Sequence, residues 1–545
     1  MFRTLFESLK SRPAGTAARR TRRPKTARLH LEALDDRTMP STFTVTNLLD
    51  AGTDSLRAAI TAANANPGAD TIDFGVTGSI GLTSGQLDIT DSLTINGPGA
   101  GALTVNGNHA SRVFSVSGGT TVSIAGLMMT DGVANGSSPV LASNGGAILN
   151  YGNLTLLNDV LSNNQAVGDP SITVFGKIGG AWGGGLANVG TATLAVSRCA
   201  FLSNLALGAD GSSGNGAGNS HGGAIANFES ARAGIADSLF ANNVSRAGSH
   251  TSGPLAATGG GGAIFNTSTV TVTGSTFRHN QGIGGNDSSG PTRPGLGHSG
   301  ALVSGASLGP TAMLVVSGST FDHNQAIGGN RNTGTGSGLT GPNHAFGGAV
   351  HVSGGIATIT GSTFKHNAAI AGAGAPGQIG GLALGGGVDA ANFFAPRIVD
   401  LTVSDCTFTH NEAIGGTGGP GGNGGDGWGG GLAVLLGASL TVSDCTVAYN
   451  HAHGGAGGPG GNGGDGLGGG IYEDALSRLT LTGDTIDRNH AIGGAAGAGG
   501  SDGQGIGGGL YLAPGGFACA DLLTVIAGNH ATTSDDDVFG VLGVC

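Results

Sequence analysis

The phrase STFDHNQAIGGN at 319–330 recurs, with small changes, as STFRHNQGIGGN at 275–286, STFKHNAAIAGA at 362–373 and CTFTHNEAIGGT at 406–417. Aligning the chain on this phrase yields ten copies of one unit. Each opens on small residues and an aliphatic, as in GGAI at 145, GGGL at 183, GGAV at 347 and GGGI at 468, and each closes on an apolar residue followed three positions later by Asn. The closing residues are Asn164, Asn204, Asn243, Asn280, Asn324, Asn367, Asn411, Asn450, Asn489 and Asn529, spaced 37 to 44 apart. A period of this length marks a stacked repeat architecture, because one short unit cannot bury its own apolar face.

Inside a unit the alternation is that of strands. In LTVSDCTFTHN, Leu401, Val403, Cys406 and Phe408 are apolar and Thr407 and Thr409 point the other way. The slip of phase between Val403 and Cys406 predicts a bend there. Two positions before the closing apolar residue the units admit only Asp, Cys, Ser or Thr, so that site takes short side chains. Stacked coils satisfy their backbone groups against the coils above and below. The expected fold is therefore all-β: a parallel β-helix, taken as right-handed because that is the usual winding, with Gly-rich loops and a short N-terminal capping helix.

Composition agrees. Glycine supplies 112 of 545 residues and charged residues only 10%; no strict Gly-X-Y period runs through the chain, which excludes collagen. The first 28 residues hold nine Lys and Arg against Glu7, and the remainder holds 14 basic against 33 acidic side chains. An acidic body argues against nucleic acid and anionic membrane as partners of the folded part. Residues 1–42 are expected to be a disordered targeting or envelope segment, 43–144 a capping module with irregular coils, 145–531 the ten-repeat array and 532–545 a tail. No stretch is long enough to span a bilayer. Five cysteines without CxxC spacing support neither a zinc site nor a redox motif.

The paired GGA[ILV] and FxxN phrases over about 145–530 resemble the repeats of the polymorphic outer membrane protein family. That family ends in an autotransporter barrel, whereas about fifteen residues follow Asn529 here, so self-export is not implied. FTVTNLLDAGTDSLRAAITAANANPGADTIDF at 43–74 resembles the opening module of bacterial surface β-helix proteins. Asp54 or Ser55 can start a helix whose Leu56, Ile60 and Ala63 cover the open end of the stack. LEALDDRTMPS at 31–41 resembles a short N-terminal motif of secreted or surface proteins of planctomycetes. Together these resemblances imply an extracellular or cell-surface location and a glycan or another envelope component as partner.

Candidate chemistry is repetitive. The ten Asn residues are expected to form a structural ladder of amides from coil to coil. His279, His323, His366 and His410 precede four of them and would line one flank; a tolerant surface column is the plainer reading, a transition-metal or acid-sensing stripe the sharper one. GGNGGDGWG at 421–429 and GGNGGDGLG at 460–468 fit a calcium-roll nonapeptide, with Asn423, Asp426, Asn462 and Asp465 as ligands, but both also fall out of a Gly-Gly-X triplet period suited to extended threefold helices. Asp405 and Asp444 share a column in adjacent coils without flanking cations. The expectation is a non-catalytic protein with a structural or adhesive role, needing no cofactor and not an enzyme. The alternative is a polysaccharide lyase or glycoside hydrolase of the pectin-lyase-like type, acting near Asp405 and Asp444.

Overall fold

In the computed structural model, residues 40–545 are described except for 136–142, 172, 175–176, 212–215, 251–256, 291–294, 306–310, 335–338, 340 and 394–397. Most of the basic arm and of the 31–41 motif lies outside the described residues. From Pro40 onward the chain is one compact unit: a right-handed parallel β-helix. Five parallel sheets run along it, with 15, 13, 13, 11 and 9 strands.

One coil shows the route. From Gly347 the chain enters the first 13-stranded sheet at Val350–Val352, then the 15-stranded sheet at Gly355–Thr360. It turns into the second 13-stranded sheet at Thr363–Lys365 and the 11-stranded sheet at Ala368–Ile370. A Gly-rich excursion then returns through the nine-stranded sheet at Ala383–Leu384 to begin the next coil. Gly347 begins its coil at φ 60°, and a Cβ there would collide with the Val350 carbonyl and the Asp389 carboxylate.

Register follows side-chain identity. Phe277 pairs with Phe321, Phe321 with Phe364 and Phe364 with Phe408, and from Phe201 to Phe408 the rings stack at 4.6–4.8 Å. All are fully buried in one continuous core. The expected bend after Val403 lies between strands Val399–Ser404 and Thr407–Thr409, where exposed Asp405 takes φ 54°. The short-residue column then has a purpose, since each side chain accepts an N–H from the preceding coil. Ser319 N–H donates to Ser362 Oγ at 3.1 Å, Cys406 N–H to Cys445 Sγ at 3.3 Å and Cys445 N–H to Asp484 Oδ1 at 2.8 Å.

The Gly-rich excursions are extended chains bonded from coil to coil at every third residue. Gly415, Gly418, Gly421, Gly424 and Gly427 donate to the carbonyls of His453, Ala456, Pro459, Asn462 and Asp465 at 2.8–2.9 Å. Between them Gly416 and Gly425 bond inward to Gly381 and Gly416. A Cβ on Gly425 would meet the Gly381 carbonyl, so only glycine lets these chains approach so closely.

At the N-terminal end, helix Leu56–Ala65 is capped by Ser55, whose Oγ accepts the Ala58 N–H at 3.2 Å. Leu56, Ala59, Ile60 and Ala63 pack into the main core and cover its open end. At the other end, residues expected to be a tail add strands Val538–Phe539 and Leu542–Val544 to the stack, and Cys545 is disulfide-bonded to Cys519. Among the described residues, no helix is long and apolar enough to cross a membrane.

Candidate functional site

The nine-stranded sheet meets the first 13-stranded sheet at an inner corner, where one residue per strand of each sheet faces the junction. Towards the C-terminal end, Trp428 from strand Gly427–Trp428 stacks on Tyr472 from Ile471–Glu473, with centroids 4.6 Å apart and planes 13° from parallel. Tyr472 stacks on Tyr511 at 5.3 Å, and Tyr511 on Phe539 at 4.7 Å. Trp428, Tyr511 and Phe539 are half-buried, whereas Tyr472 is buried between its neighbours. The result is an aromatic ladder whose outer rings reach solvent.

Two carboxylates border the ladder. Asp426 lies two residues before Trp428, immediately ahead of strand Gly427–Trp428, and Asp465 occupies the same place one coil on, about 4.8 Å away by strand spacing. Asp426 Oδ1 accepts the Asp465 N–H at 2.8 Å, and Asp465 Oδ1 accepts the Gln504 N–H at 2.7 Å. Burial pushes the Asp426 carboxyl up to about 6, and the Asp465 charge adds to that against the Asp465 N–H. Trp428 Nε1 makes no hydrogen bond of normal geometry to a described residue, yet it lies close enough to Asp426 to favour the charged form. Burial, and then the charges of Asp465 and Asp426, hold the Tyr511 hydroxyl above its ordinary range. The group can therefore place a planar apolar face beside a carboxyl that keeps its proton to about pH 6, well above the ordinary carboxylate range.

Midway along the same corner the chemistry changes. His351 Nδ1 lies 2.8 and 2.9 Å from the two oxygens of Asp389, both side chains fully buried. His351 Nε2 has no hydrogen-bond partner among the described residues, and the ring packs against His298, Phe346 and Phe393. Burial drives the Asp389 carboxyl upward against the pull of His351.

The residues singled out in the sequence are distributed as follows. Each Asn Nδ2 from Asn164 to Asn489 donates to the Oδ1 of the next at 2.9–3.0 Å, and Asn529 ends the ladder on Asp537 Oδ1 at 3.0 Å. Asn423 Oδ1 accepts the Asn462 N–H at 2.9 Å, and Asn462 Oδ1 accepts the Ser501 N–H at 3.0 Å. The four nonapeptide residues thus each engage a backbone N–H of the following coil. Asp405 and Asp444 are exposed turn residues at φ 54° and 53°, away from the aromatic corner. The rings of His279, His323, His366 and His410 stand 4.6–5.3 Å apart in sequence along one turn.

Sequence reasoning singled out Asp426 and Asp465, as calcium ligands, but missed the aromatic side chains of the corner. Its signal was the Tyr that follows the aliphatic in GGGIYE and GGGLYL, beside the Trp of GDGWGG. It also missed a second buried ladder, Asn150 to Asn188 to Asn227 to Asn266 at 2.7–3.0 Å, written as an Asn two residues after the aliphatic of the first four opening phrases.

No protein-family model matches the chain, and no curated protein is significantly similar to it. Among solved structures, it is similar to a mannuronic acid specific polysaccharide family 6 lyase from human gut microbiota, at 11% identity and a TM-score of 0.36, covering 82% of each chain. It is also similar to the catalytic unit of a GH87 α-1,3-glucanase from Streptomyces thermodiastaticus, at 13% identity and TM-score 0.37, covering 91% of this chain and 70% of that one. A third is the A-module of a mannuronan C-5 epimerase from Azotobacter vinelandii, at 13% identity and TM-score 0.29, covering 90% and 100%. The names of these neighbours, all enzymes, stand against the expectation of a non-catalytic structural or adhesive protein that is not an enzyme, and that expectation is withdrawn. The physical error was to take every column as uniform: along the inner corner the side chains change from coil to coil, which is what convergent chemistry requires.

Proposed function

We propose that the protein is a carbohydrate-active enzyme that lays a neutral polysaccharide along the Trp428–Tyr472–Tyr511–Phe539 ladder and cleaves it beside Asp426 and Asp465. The observation that carries this reading is the stacked, partly exposed aromatic face bordered by two carboxylates of adjacent coils. Apolar faces of sugar rings pack on such side chains, which bring large contact area with few rotamers. Asp426, held near 6, suits a proton donor to a leaving glycosidic oxygen, and Asp465 one coil away suits the companion carboxylate. The roughly 5 Å between coils is close to the separation at which the second carboxylate acts as nucleophile.

A neutral substrate is favoured because the body carries 33 acidic against 14 basic residues and the corner itself adds negative charge. The sequence resemblances to surface β-helix proteins, to polymorphic outer membrane repeats and to the planctomycete motif support action outside the cell or at its surface. The likeness to solved lyases and glucanases is distant and adds nothing to the choice of substrate.

The test is release of reducing ends from a panel of neutral glucans, mannans and xylans, alongside pectin and alginate read for unsaturated products. The reading expects hydrolysis of a neutral polymer, lost at least a hundredfold in Asp426→Asn and Asp465→Asn, with KM raised in Trp428→Ala. It would be overturned by cleavage of the acidic polymers alone, by activity unchanged in both Asp variants, or by no cleavage anywhere on the panel.

A further inference from the structure

A second group of chemical side chains lies at the turn between the second 13-stranded sheet and the 11-stranded sheet. His279, His323, His366 and His410 occupy it in four successive coils, all at φ 53–55°, so their rings leave the backbone in one direction. The residue before each His is Arg278, Asp322, Lys365 and Thr409. Only the second of these coils places an acid beside the histidines.

That acid is used twice. Asp322 Oδ1 is 2.6 Å from His323 Nδ1 and 3.5 Å from His366 Nδ1 in the next coil, and the three ligand atoms all lie within 4.8 Å of one another. Lys365 Nζ stands 3.5 Å from Asp322 Oδ2. Burial raises the Asp322 carboxyl, but the hydrogen bond and charge of His323 and the charge of Lys365 outweigh it and hold the group below its ordinary value. The side chains of Asp322, His323 and His366 are 26%, 49% and 45% exposed, so the approach to the three ligand atoms is open.

We propose that Asp322, His323 and His366 form a binding site for one divalent transition-metal ion, zinc(II) by preference. Two imidazole nitrogens and one carboxylate oxygen are the donor set that borderline ions take. Metal–ligand bonds of about 2.0–2.1 Å put tetrahedral donors roughly 3.3 Å apart, so closing on an ion changes the present spacings, 2.6 Å to at most 4.8 Å, by up to about 1.5 Å. Three protein donors leave a fourth position facing solvent, the pattern of an open site rather than a closed structural one. Bound metal would displace Lys365 from Asp322, since two cations compete for one carboxylate. The same turn accepts Ser203, Asn242, Tyr449 and Arg488 in other coils, which explains why it tolerates His but not why an acid joins it where two rings meet. This site is separate from the aromatic corner and does not depend on the activity assigned there.

The test is a zinc(II) titration of the tag-free full chain, by calorimetry and by competition with a chromophoric chelator, with cobalt(II) absorption as a geometric readout. One ion per chain is expected, with affinity falling at least tenfold in His323→Ala, His366→Ala and Asp322→Asn. Lys365→Ala is expected to bind more tightly. A variant lacking His451, His453 and His490, whose rings make another imidazole group at 5.0–5.4 Å, is expected to bind as the parent does. Each altered side chain of the proposed site is exposed or half-exposed, and an unchanged thermal midpoint without metal confirms folding. Absence of zinc binding, affinity retained in the His323/His366 double variant, or loss confined to the His451/His453/His490 variant would each overturn the proposal.

Discussion

The rings of Phe321 and Phe364 lie 4.6 Å apart and 2° from parallel, both wholly buried, although 43 residues separate them. Each ring fills the same interior place as its neighbour one coil away, so deleting one leaves a gap bounded by two others. Phe321→Ala is expected to cost about 3–5 kcal/mol. Thr320→Ala, on the other face of strand Thr320–Asp322, is expected to cost less than about 0.5 kcal/mol. Urea unfolding of the two variants checks this, and equal destabilisation would contradict the inward register of the Phe column.

Asn324 satisfies five hydrogen bonds. Its N–H and Nδ2 donate to Asn367 Oδ1 at 3.0 Å each, Nδ2 also reaches the Phe277 carbonyl at 3.0 Å, and Oδ1 accepts from Asn280 N and Nδ2 at 3.1 and 2.9 Å. Asn324→Ala leaves Asn280 with buried donors unpaired on one side, at a cost of at least about 2 kcal/mol. His323→Ala next door removes an exposed ring and its contact with Asp322 but none of the ladder's hydrogen bonds. Native-state amide exchange should show the Asn280 N–H losing protection in the first variant and keeping it in the second.

These two columns explain how much of the molecule its sequence reveals. Position in the coil is a local property, so repetition of Phe and Asn identifies the stack, the buried face and the bend at Asp405 without coordinates. The capping helix is equally local: Ser55, Leu56, Ile60 and Ala63 lie within nine residues. The corner is not local. Trp428 and Tyr472 are 44 residues apart on different sheets, and what brings them together is the length and path of the Gly-rich excursion between them. The same excursion carries the triplet period that makes Asp426 and Asp465 look like calcium ligands, so the local signal pointed away from the side chains that flank them in space.

Glu473 is fully buried, with Oε1 accepting the Phe517 N–H at 2.9 Å and Oε2 lacking a partner among the described residues. Burial raises it from 4.5 to about 7. A raised carboxyl contributes stability that is fully present below its unfolded value near 4.5 and is lost as pH rises through about 7. Glu473→Gln should therefore match the parent below pH 4.5 and exceed it above pH 7 by up to about 3 kcal/mol. Asp159 and Asp484, raised to about 7 and about 6, titrate in the same window, so the quantity to follow is the parent–variant difference in unfolding free energy against pH. A difference that does not change between pH 4.5 and 7 would show that Glu473 is ionised freely in the folded state.

The disulfide between Cys519 and Cys545 closes the last coil across 26 residues, while Cys199, Cys406 and Cys445 are free and buried. Closure of such a loop is worth about 3 kcal/mol in the unfolded-chain entropy account. Because stacked coils contact only their neighbours, reduction should open strands Phe517–Ala520 and Leu542–Val544 before the rest. Hydrogen exchange with and without reductant, and in Cys545→Ser, checks the location of the effect. Uniform loss of protection along the array would argue for a single cooperative unit instead.

Asp426 offers an optical test of the corner that needs no substrate. Trp428 lies close enough to its carboxyl to respond to its charge, and the only other Trp in the chain is Trp182. In a Trp182→Phe background the indole emission reports Trp428 alone. Titration of the Asp426 carboxyl should then move that emission with a midpoint near pH 6. Asp465→Asn removes a negative charge that holds the proton on Asp426, so its midpoint should shift downward; Asp426→Asn should abolish the transition. The direction matters for the proposed chemistry: an acid that is protonated below about 6 donates on the acidic side, so cleavage should fall as pH rises through the midpoint seen by fluorescence. A midpoint unaffected by Asp465→Asn would mean that the two carboxylates are not electrostatically coupled, and the pair could not share the work of cleavage.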